Sequence, residues 1–352
     1  MFFRIGFSFR YCIIDEAQHI KNPRSQTAKS VKSIGAKYRF ALTGTPIENS
    51  LTELWSIFDF VMPGYLFSHS KFVTTYEKAI VKDQDKEASE ELAAHIRPFV
   101  LRRLKNDVLK ELPEKIESKM MTELTEEQKK VYLAYLVRAR GEIFSEIDRS
   151  GYEKSHIRIL SAITRLRQIC CHPGMFLEDY KGGSGKLQQL EEIVPDALAG
   201  GHRILLFSQF TSMLKLIQLR MEKLRIPFFY LDGATEAQER NHLVKRFNEG
   251  DRKIFLISLK AGGTGLNLTG ADMVIHFDPW WNPAVEEQAS DRAYRIGQQK
   301  VVHVMRLITR GTIEEKIEKL KEKKRSLADA VIRPGETLVS KLSREEIMAL
   351  FD

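Results

Sequence analysis

Tyr11-Cys12-Ile13-Ile14-Asp15-Glu16-Ala17-Gln18 runs from a short apolar stretch straight into two adjacent carboxylates. An apolar run this short, bounded by polar residues, reads as a buried strand of a parallel sheet. A second run, Tyr38-Arg39-Phe40-Ala41-Leu42, ends at Thr43-Gly44-Thr45-Pro46, and the residues from Ser25 to Ile34 between them can form a helix. Strand, helix and strand make one βαβ unit with polar groups at both strand ends. Open α/β sheets place their ligand crevice at those ends.

Downstream, from about Leu51 to Met175, the pattern turns helical. Leu124-Thr125-Glu126-Glu127-Gln128 has the form of a helix start, with Thr125 as N-cap and Gln128 closing a capping box. Another helix is expected over Ile157 to Ile169, stopping before Pro173, and Pro173 to Gly185 reads as a linker. A second α/β pattern follows. Its expected strands are Arg203–Phe207, Phe228–Leu231, Ile254–Ser258, Met273–Phe277 and Val302–Leu307. Helices are expected at Ser212–Arg225, Glu236–Asn248 and Ala284–Arg295, and such alternation implies a parallel sheet. The stretch from Thr312 to Val331 reads as a charged helix whose lysines and glutamates pair on a solvated face.

The length of 352 residues suits two domains with connecting segments. Hydrophobic residues at 43% and charged residues at 29% fit a globular protein, and no apolar run is long enough for a membrane span. A net charge of +8 favours polyanionic partners such as nucleic acid. Three cysteines, Cys12, Cys170 and Cys171, suit a reducing compartment rather than a disulfide framework. Neighbouring Cys170, Cys171 and His172 point apart on a helix, so packing is a better reading than a metal site.

Adjacent acids at a strand end have a defined use in nucleotide hydrolysis. One carboxylate holds Mg²⁺, often through water, and the other takes a proton from the attacking water. Further along stands Gln288-Ala289-Ser290-Asp291-Arg292-Ala293-Tyr294-Arg295-Ile296-Gly297-Gln298. Arg292 and Arg295, three apart, are expected on one helix face, where two guanidinium groups can grip a triphosphate. Taken alone, the pair could equally be a surface salt bridge.

The order of these motifs resembles superfamily-two helicase-like motors. More specifically, the chain resembles the SWI/SNF-type ATPases, and the likeness runs from about Phe9 to the C-terminus. It is carried by Asp15-Glu16-Ala17-Gln18-His19-Ile20-Lys21-Asn22, Leu101-Arg102-Arg103-Leu104-Lys105, Leu206-Phe207-Ser208-Gln209-Phe210 and Leu231-Asp232-Gly233. Ala261-Gly262-Gly263-Thr264-Gly265-Leu266-Asn267-Leu268 and Asp278-Pro279-Trp280-Trp281-Asn282-Pro283 complete it. Gln18 and the compact middle segment look most similar to bacterial members. The resemblance implies an α/β protein with two RecA-like parallel-sheet lobes, the first incomplete, a helical insertion between them and a C-terminal helix. The expected boundaries are 1–62, 63–180, 181–311 and 312–352.

The resemblance also implies roles. Asp15 matches the Mg²⁺-coordinating acid and Glu16 the water-activating one, with Arg292 and Arg295 completing the catalytic set. Gln18, Gly265 and Gln288 match ATP-side positions, and Thr43 and Thr45 a motif that couples nucleotide state to DNA contact. Ser208, Gln209, Lys260, Gly263 and Thr264 match positions facing DNA phosphate, and Trp280 is a further DNA candidate, evenly weighed against packing. ATP, Mg²⁺ and duplex DNA are thus the expected ligands of a monomer. It would be cytoplasmic and nucleoid-associated in a bacterium, or nuclear in a eukaryote.

One expected motif has no match. Gly182-Gly183-Ser184-Gly185-Lys186-Leu187 is the nearest approach to a Gly-x-x-x-x-Gly-Lys-Ser/Thr phosphate loop. Tyr180 stands where its first Gly should be, and Leu187 replaces the Mg²⁺-binding hydroxyl. The chain is therefore read as an N-terminally shortened ATP-dependent DNA translocase. The alternatives are a non-hydrolysing DNA- or partner-binding module and a strand-separating helicase.

Overall fold

The computed structural model describes residues 9–44, 50–81, 83, 85–101, 103, 112–262, 265–328 and 344–351. These fall into two compact units, one within residues 9–103 and one within residues 112–351.

The first unit holds strands β1 (Phe9–Ile14) and β2 (Ala36–Ala41), paired in parallel and joined through helix α1 (Gln26–Lys32). Ser25 caps α1 by accepting from the Ala28 backbone N–H, as its residue type favours. One face of this sheet packs through Cys12 and Ile14 against Ile20, Ala28 and Phe60. The other presents Phe9, Tyr11, Ile13, Tyr38 and Phe40, all exposed. Helix α2 (Leu51–Val61) and helix α3 (Lys86–Ile96), with the helical turns between them, form a separate apolar cluster around Trp55, Phe58, Phe72 and Tyr76.

The second unit is built on a six-stranded sheet, all of its pairings parallel. Its strands are β3 (Lys115–Thr122), β4 (Ile204–Ser208), β5 (Phe228–Leu231), β6 (Ile254–Ser258), β7 (Met273–His276) and β8 (Val302–Thr309), in the order β3-β8-β7-β4-β6-β5. The central strands β4 and β6 are buried along their whole length, as parallel strands covered on both faces must be. Five of these strands lie where the apolar runs place them. The sixth, β3, falls in the stretch read as helical. Lys115, Glu117 and Lys119 break its apolar pattern because it is an edge strand, and Lys115 and Lys119 pair there with Glu117 and Glu322.

Two long helices, α4 (Glu126–Ser150) and α5 (Tyr152–Cys171), precede the remaining strands, and α6 (Gly185–Ala199) leads into β4. Thr125 and Gln128 form the expected capping box of α4. Gln128 does more: its side-chain N–H₂ donates to the carbonyls of Ile169 and Cys170, and its Oε1 accepts from Gly185 N–H. One buried amide thus joins the start of α4, the end of α5 and the start of α6.

Around the sheet lie α7 (Thr211–Lys223), α8 (Ala237–Glu249) and α9 (Pro283–Ser290), followed by α10 (Ile313–Ala328) and α11 (Arg344–Phe351). Helix α10 departs from the solvated face expected of it. Glu314, Glu318 and Lys321 are buried, because α10 packs with α4, α5 and α11 in an apolar cluster that also takes in Trp281. Among the described residues no helix is long and apolar enough to cross a membrane.

Candidate functional site

In the first unit the parallel pairing brings the ends of β1 and β2 side by side. Leu42 N–H donates to Ile14 O and Ala17 N–H to Leu42 O, so Asp15-Glu16 and Thr43-Gly44 leave the sheet at one edge. Asp15 and Glu16 are both exposed there. Glu16 has φ 51° and ψ 53°, the left-handed region that non-glycine residues rarely occupy. Its own N–H donates to Asp15 Oδ1 at 2.8 Å, a local bond that helps hold the turn. Gln18 then donates from Nε2 to Glu16 Oε2 and accepts at Oε1 from the Thr43 hydroxyl at 2.9 Å. Thr43, Gln18 and Glu16 therefore form one hydrogen-bonded line across the ends of two strands. Thr45 lies outside the described residues.

These carboxylates suit a cation held mostly by other ligands. Among the described residues no group of three His, Cys, Asp or Glu side chains could cage a metal. Mg²⁺ in nucleotide sites takes one or two carboxylates and completes its shell with water and phosphate. An exposed Asp15 fits that use. Cys170 and Cys171 are buried, and burial pushes both thiols up, so neither offers a thiolate ligand.

In the second unit the candidates sit on loops at the C-terminal ends of β4, β6 and β7. Lys260 is exposed on the turn Leu259–Gly262 that follows β6. Gly262 is buried against Phe207, where a Cβ would meet the ring at 2.6 Å. Gly263 and Thr264 lie outside the described residues, and Gly265 is exposed. Gln288 is half-buried on α9.

The two arginines are not on a helix face. Helix α9 ends at Ser290, and Arg292 and Arg295 lie on the turn beyond it. The expected periodicity ran on because Ala293 continues the apolar spacing while the backbone has already turned. The turn is anchored to the loop after β6. Arg292 Nε donates to Gly262 O at 2.9 Å, and Leu268 N–H donates to Arg292 O at 2.9 Å. Arg295 remains exposed, its Nη1 3.5 Å from Leu266 O. Gln298 locks the far side: its Nε2 contacts the carbonyls of Thr269, Ala271 and Ala293, and its Oε1 accepts from the backbones of Gln299 and Lys300.

Ser208 needs correction as a direct phosphate contact. It is 1% exposed, and its hydroxyl donates to Asp278. Asp278 also accepts from Gln209 N–H at 3.1 Å. Burial pushes the Asp278 carboxyl up to about 6, against the pull of Arg167 and Lys186 and of hydrogen bonds from Ser208 and Gln209. Gln209 and Trp280 are half-buried at the rim, whereas Trp281 belongs to the core beneath. The Asp278–Trp281 turn is tied down from behind. Glu286 accepts from Trp280 N–H and from Arg306 Nε, with Lys321 Nζ at 3.6 Å.

The Gly182–Leu187 stretch is a packing joint. Lys186 is fully buried, donating to Phe277 O at 2.9 Å and to Glu314 at 2.8 Å, so no phosphate can reach it. Ser184 caps α6 and donates its hydroxyl to Cys171 O. A Cβ at Gly185 would strike Glu123 O, which is reason enough for glycine there.

Residues 4–175 match the SNF2-related domain, and residues 185–297 match the helicase conserved C-terminal domain. A SWI2/SNF2 ATPase core of Sulfolobus solfataricus, solved in complex with dsDNA, is similar with a TM-score of 0.58 at 41% identity, over 98% of this chain and 73% of that one. The chain belongs to the SWI/SNF-type ATPase family. The C-terminal domain of the Sulfolobus solfataricus ATPase matches over 67% of this SWI/SNF-type chain and 98% of its own length, with TM-score 0.56 and 36% identity. An ATP-dependent helicase/translocase of Bacillus subtilis is 43% identical over 346 residues, covering 96% of this chain and 37% of that protein. The SWI/SNF-type chain thus spans little more than a third of that relative. Arg167 and Glu286 lie outside every motif quoted above, and Asp278 and Gln298 lie inside motifs that gave them no role; all four are found by asking what holds the loops.

Proposed function

We propose that the intact protein hydrolyses ATP and couples the hydrolysis to movement along duplex DNA. The observation that carries this reading is the line Thr43–Gln18–Glu16 across the ends of adjacent parallel strands. It joins a water-activating carboxylate to the motif that would report on DNA. Gln18 orients the Glu16 carboxylate, which accepts a proton from the attacking water. Asp15 would hold Mg²⁺ through water. Mg²⁺ when bound neutralises charge on the β- and γ-phosphates. Arg295, exposed on its anchored turn, would stabilise the charge that develops in transfer, and Arg292 fixes that turn. Gly265 and Gln288 would line the ATP side.

DNA would meet Lys260, Gly263, Thr264, Gln209 and Trp280, with Ser208 acting from behind through Asp278. Contacts of this kind read phosphate rather than sequence. The domain boundaries at 62, 180 and 311 and the monomeric state belong to the same reading. We place its action in the bacterial cytoplasm, at the nucleoid.

The test is ATP turnover by the intact protein with and without duplex DNA, alongside Glu16→Gln. Stimulation by duplex that vanishes in the variant supports the reading. Equal turnover with and without DNA refutes the coupling, and separation of a forked duplex would favour a strand-separating helicase instead.

A further inference from the structure

Among the described residues Arg167 is the largest side chain buried below 2% exposure, and nothing in the mechanism above uses it. It extends from α5 to the place where the loops after β4 and β7 meet. Nη1 donates to Gln209 Oε1 at 3.1 Å, and Nη2 donates to Pro279 O. Asp278 Oδ2 lies 3.8 Å from Nη2. The guanidinium also sits 5.6 Å from the centre of the Phe210 ring, 5.5 Å from Trp280 and 5.7 Å from Trp281. One planar fork therefore touches both loops, which a lysine ammonium cannot do with the same geometry.

The contact to Gln209 has a chemical consequence. A guanidinium only donates, so the Gln209 atom facing it is the amide oxygen. That leaves the Gln209 N–H₂ as the free end of the side chain, with no hydrogen bond to any described residue, at a half-buried position on the rim. A free pair of N–H donors suits an acceptor-only ligand such as a phosphodiester oxygen.

We propose that Arg167 is a positioning residue that fixes the Gln209 amide with its donors outward, so that Gln209 binds a backbone phosphate of duplex DNA. The proposal rests on the DNA-binding reading of this unit and deepens it. Helix α5 then sets the shape of a surface it does not itself form. Asp278 balances the buried charge and ties the same loop through Ser208 Oγ and Gln209 N–H.

The test is duplex DNA affinity of the intact protein across a salt series. Arg167→Lys keeps a cation beside Asp278 but loses the fork. It should weaken binding about threefold to tenfold and leave the log–log salt slope close to that of the wild type, because a neutral amide neutralises no phosphate charge. Gln209→Ala should give the same loss, and the double variant no more than either single. Losses that multiply in the double variant, or an Arg167→Lys protein that binds as the wild type does, overturn the proposal. Gln209→Glu covers the case in which Arg167→Lys does not fold. A carboxylate keeps the Arg167 contact and turns an acceptor outward, so it should bind DNA more weakly than Gln209→Ala; an equal or smaller loss overturns the proposal. The Gln209 side-chain ¹⁵N–¹H₂ signals read the positioning without DNA. They should lie away from random-coil values in the wild type and move toward them in Arg167→Lys; wild-type signals already at random-coil values overturn the positioning. Wild-type protein that binds no duplex at low salt would instead refute the DNA reading of the whole unit.

Discussion

The Thr43 hydroxyl donates to the Gln18 amide oxygen across the ends of β1 and β2, and the other end of that amide holds Glu16. Thr43→Val removes the hydroxyl that donates to Gln18 and keeps the shape. DNA-stimulated turnover should fall about tenfold, the equivalent of about 1.4 kcal/mol, with DNA affinity unchanged. Glu16→Gln should lose on the order of 10²–10⁴, as expected for a missing general base. Steady-state ATPase assays at saturating duplex check both, and a Thr43→Val enzyme of full activity would remove Thr43 from the line.

Lys186 and Glu314 supply the second prediction. Removing one partner of a buried pair leaves the other charged and dry, which costs about 3–5 kcal/mol. Lys186→Met should therefore shift the urea unfolding midpoint strongly. A phosphate-loop lysine would behave in the opposite way, losing nucleotide affinity at nearly constant stability. Pairing Lys186→Met with Glu314→Gln should recover part of the loss.

Arg292 and Arg295 should separate. Arg295 is exposed, so Arg295→Ala should reduce turnover on the order of 10³ or more while leaving the melting temperature close to wild type. Arg292→Ala also releases the anchor to Gly262 and should lower both. Duplex affinity measured in parallel should change little in Arg295→Ala; a collapse there would reassign the residue to DNA binding.

The pH dependence turns on His276, buried on β7 with Nε2 2.9 Å from Ser290 Oγ. Burial pushes its pKa down to about 4; Glu286 and Glu117 oppose the shift, and Arg306 and Lys321 add to it. The unfolded chain binds the proton more readily, so this group's contribution is present above pH 6.5 and is lost as pH falls toward 4. By pH 5 the loss is on the order of 1–2 kcal/mol. Asp278, raised to about 6, works in the other direction: the folded state holds its proton more tightly, adding stability as pH falls from 6 toward 3.8. His276→Gln should therefore lose less melting temperature between pH 7 and pH 5 than the wild type. An identical loss would show that His276 does not titrate in that range.

Local patterns made much of the fold legible. The run at Ile254–Ser258 is a strand with the expected ends, because a parallel strand buried on both faces must be apolar throughout. Thr125 and Gln128 announced α4 through capping chemistry that needs no tertiary context. Strand β3 was hidden because an edge strand carries charge, and its partner β8 lies far along the chain. The turn carrying Arg292 and Arg295 was mistaken for helix because helix ends are set by local backbone geometry, here the departure at Asp291. The acidic and arginine motifs stand in the sequence as residue patterns. The roles of Arg167 and Gln298 do not, since what they do depends on carbonyls brought near by folding.

The buried Gln128 amide leaves little freedom where α4, α5 and α6 meet. Its donors and its acceptor are all engaged, so any swing of one helix relative to the others would strand a polar group away from water. A joint of that kind passes displacement along instead of absorbing it. Arg167 lies on the same α5 and holds Gln209 and the Pro279 carbonyl, so the joint and the two loops share one helix. The start of α4, the end of α5 and the start of α6 therefore keep their spacing as one joint.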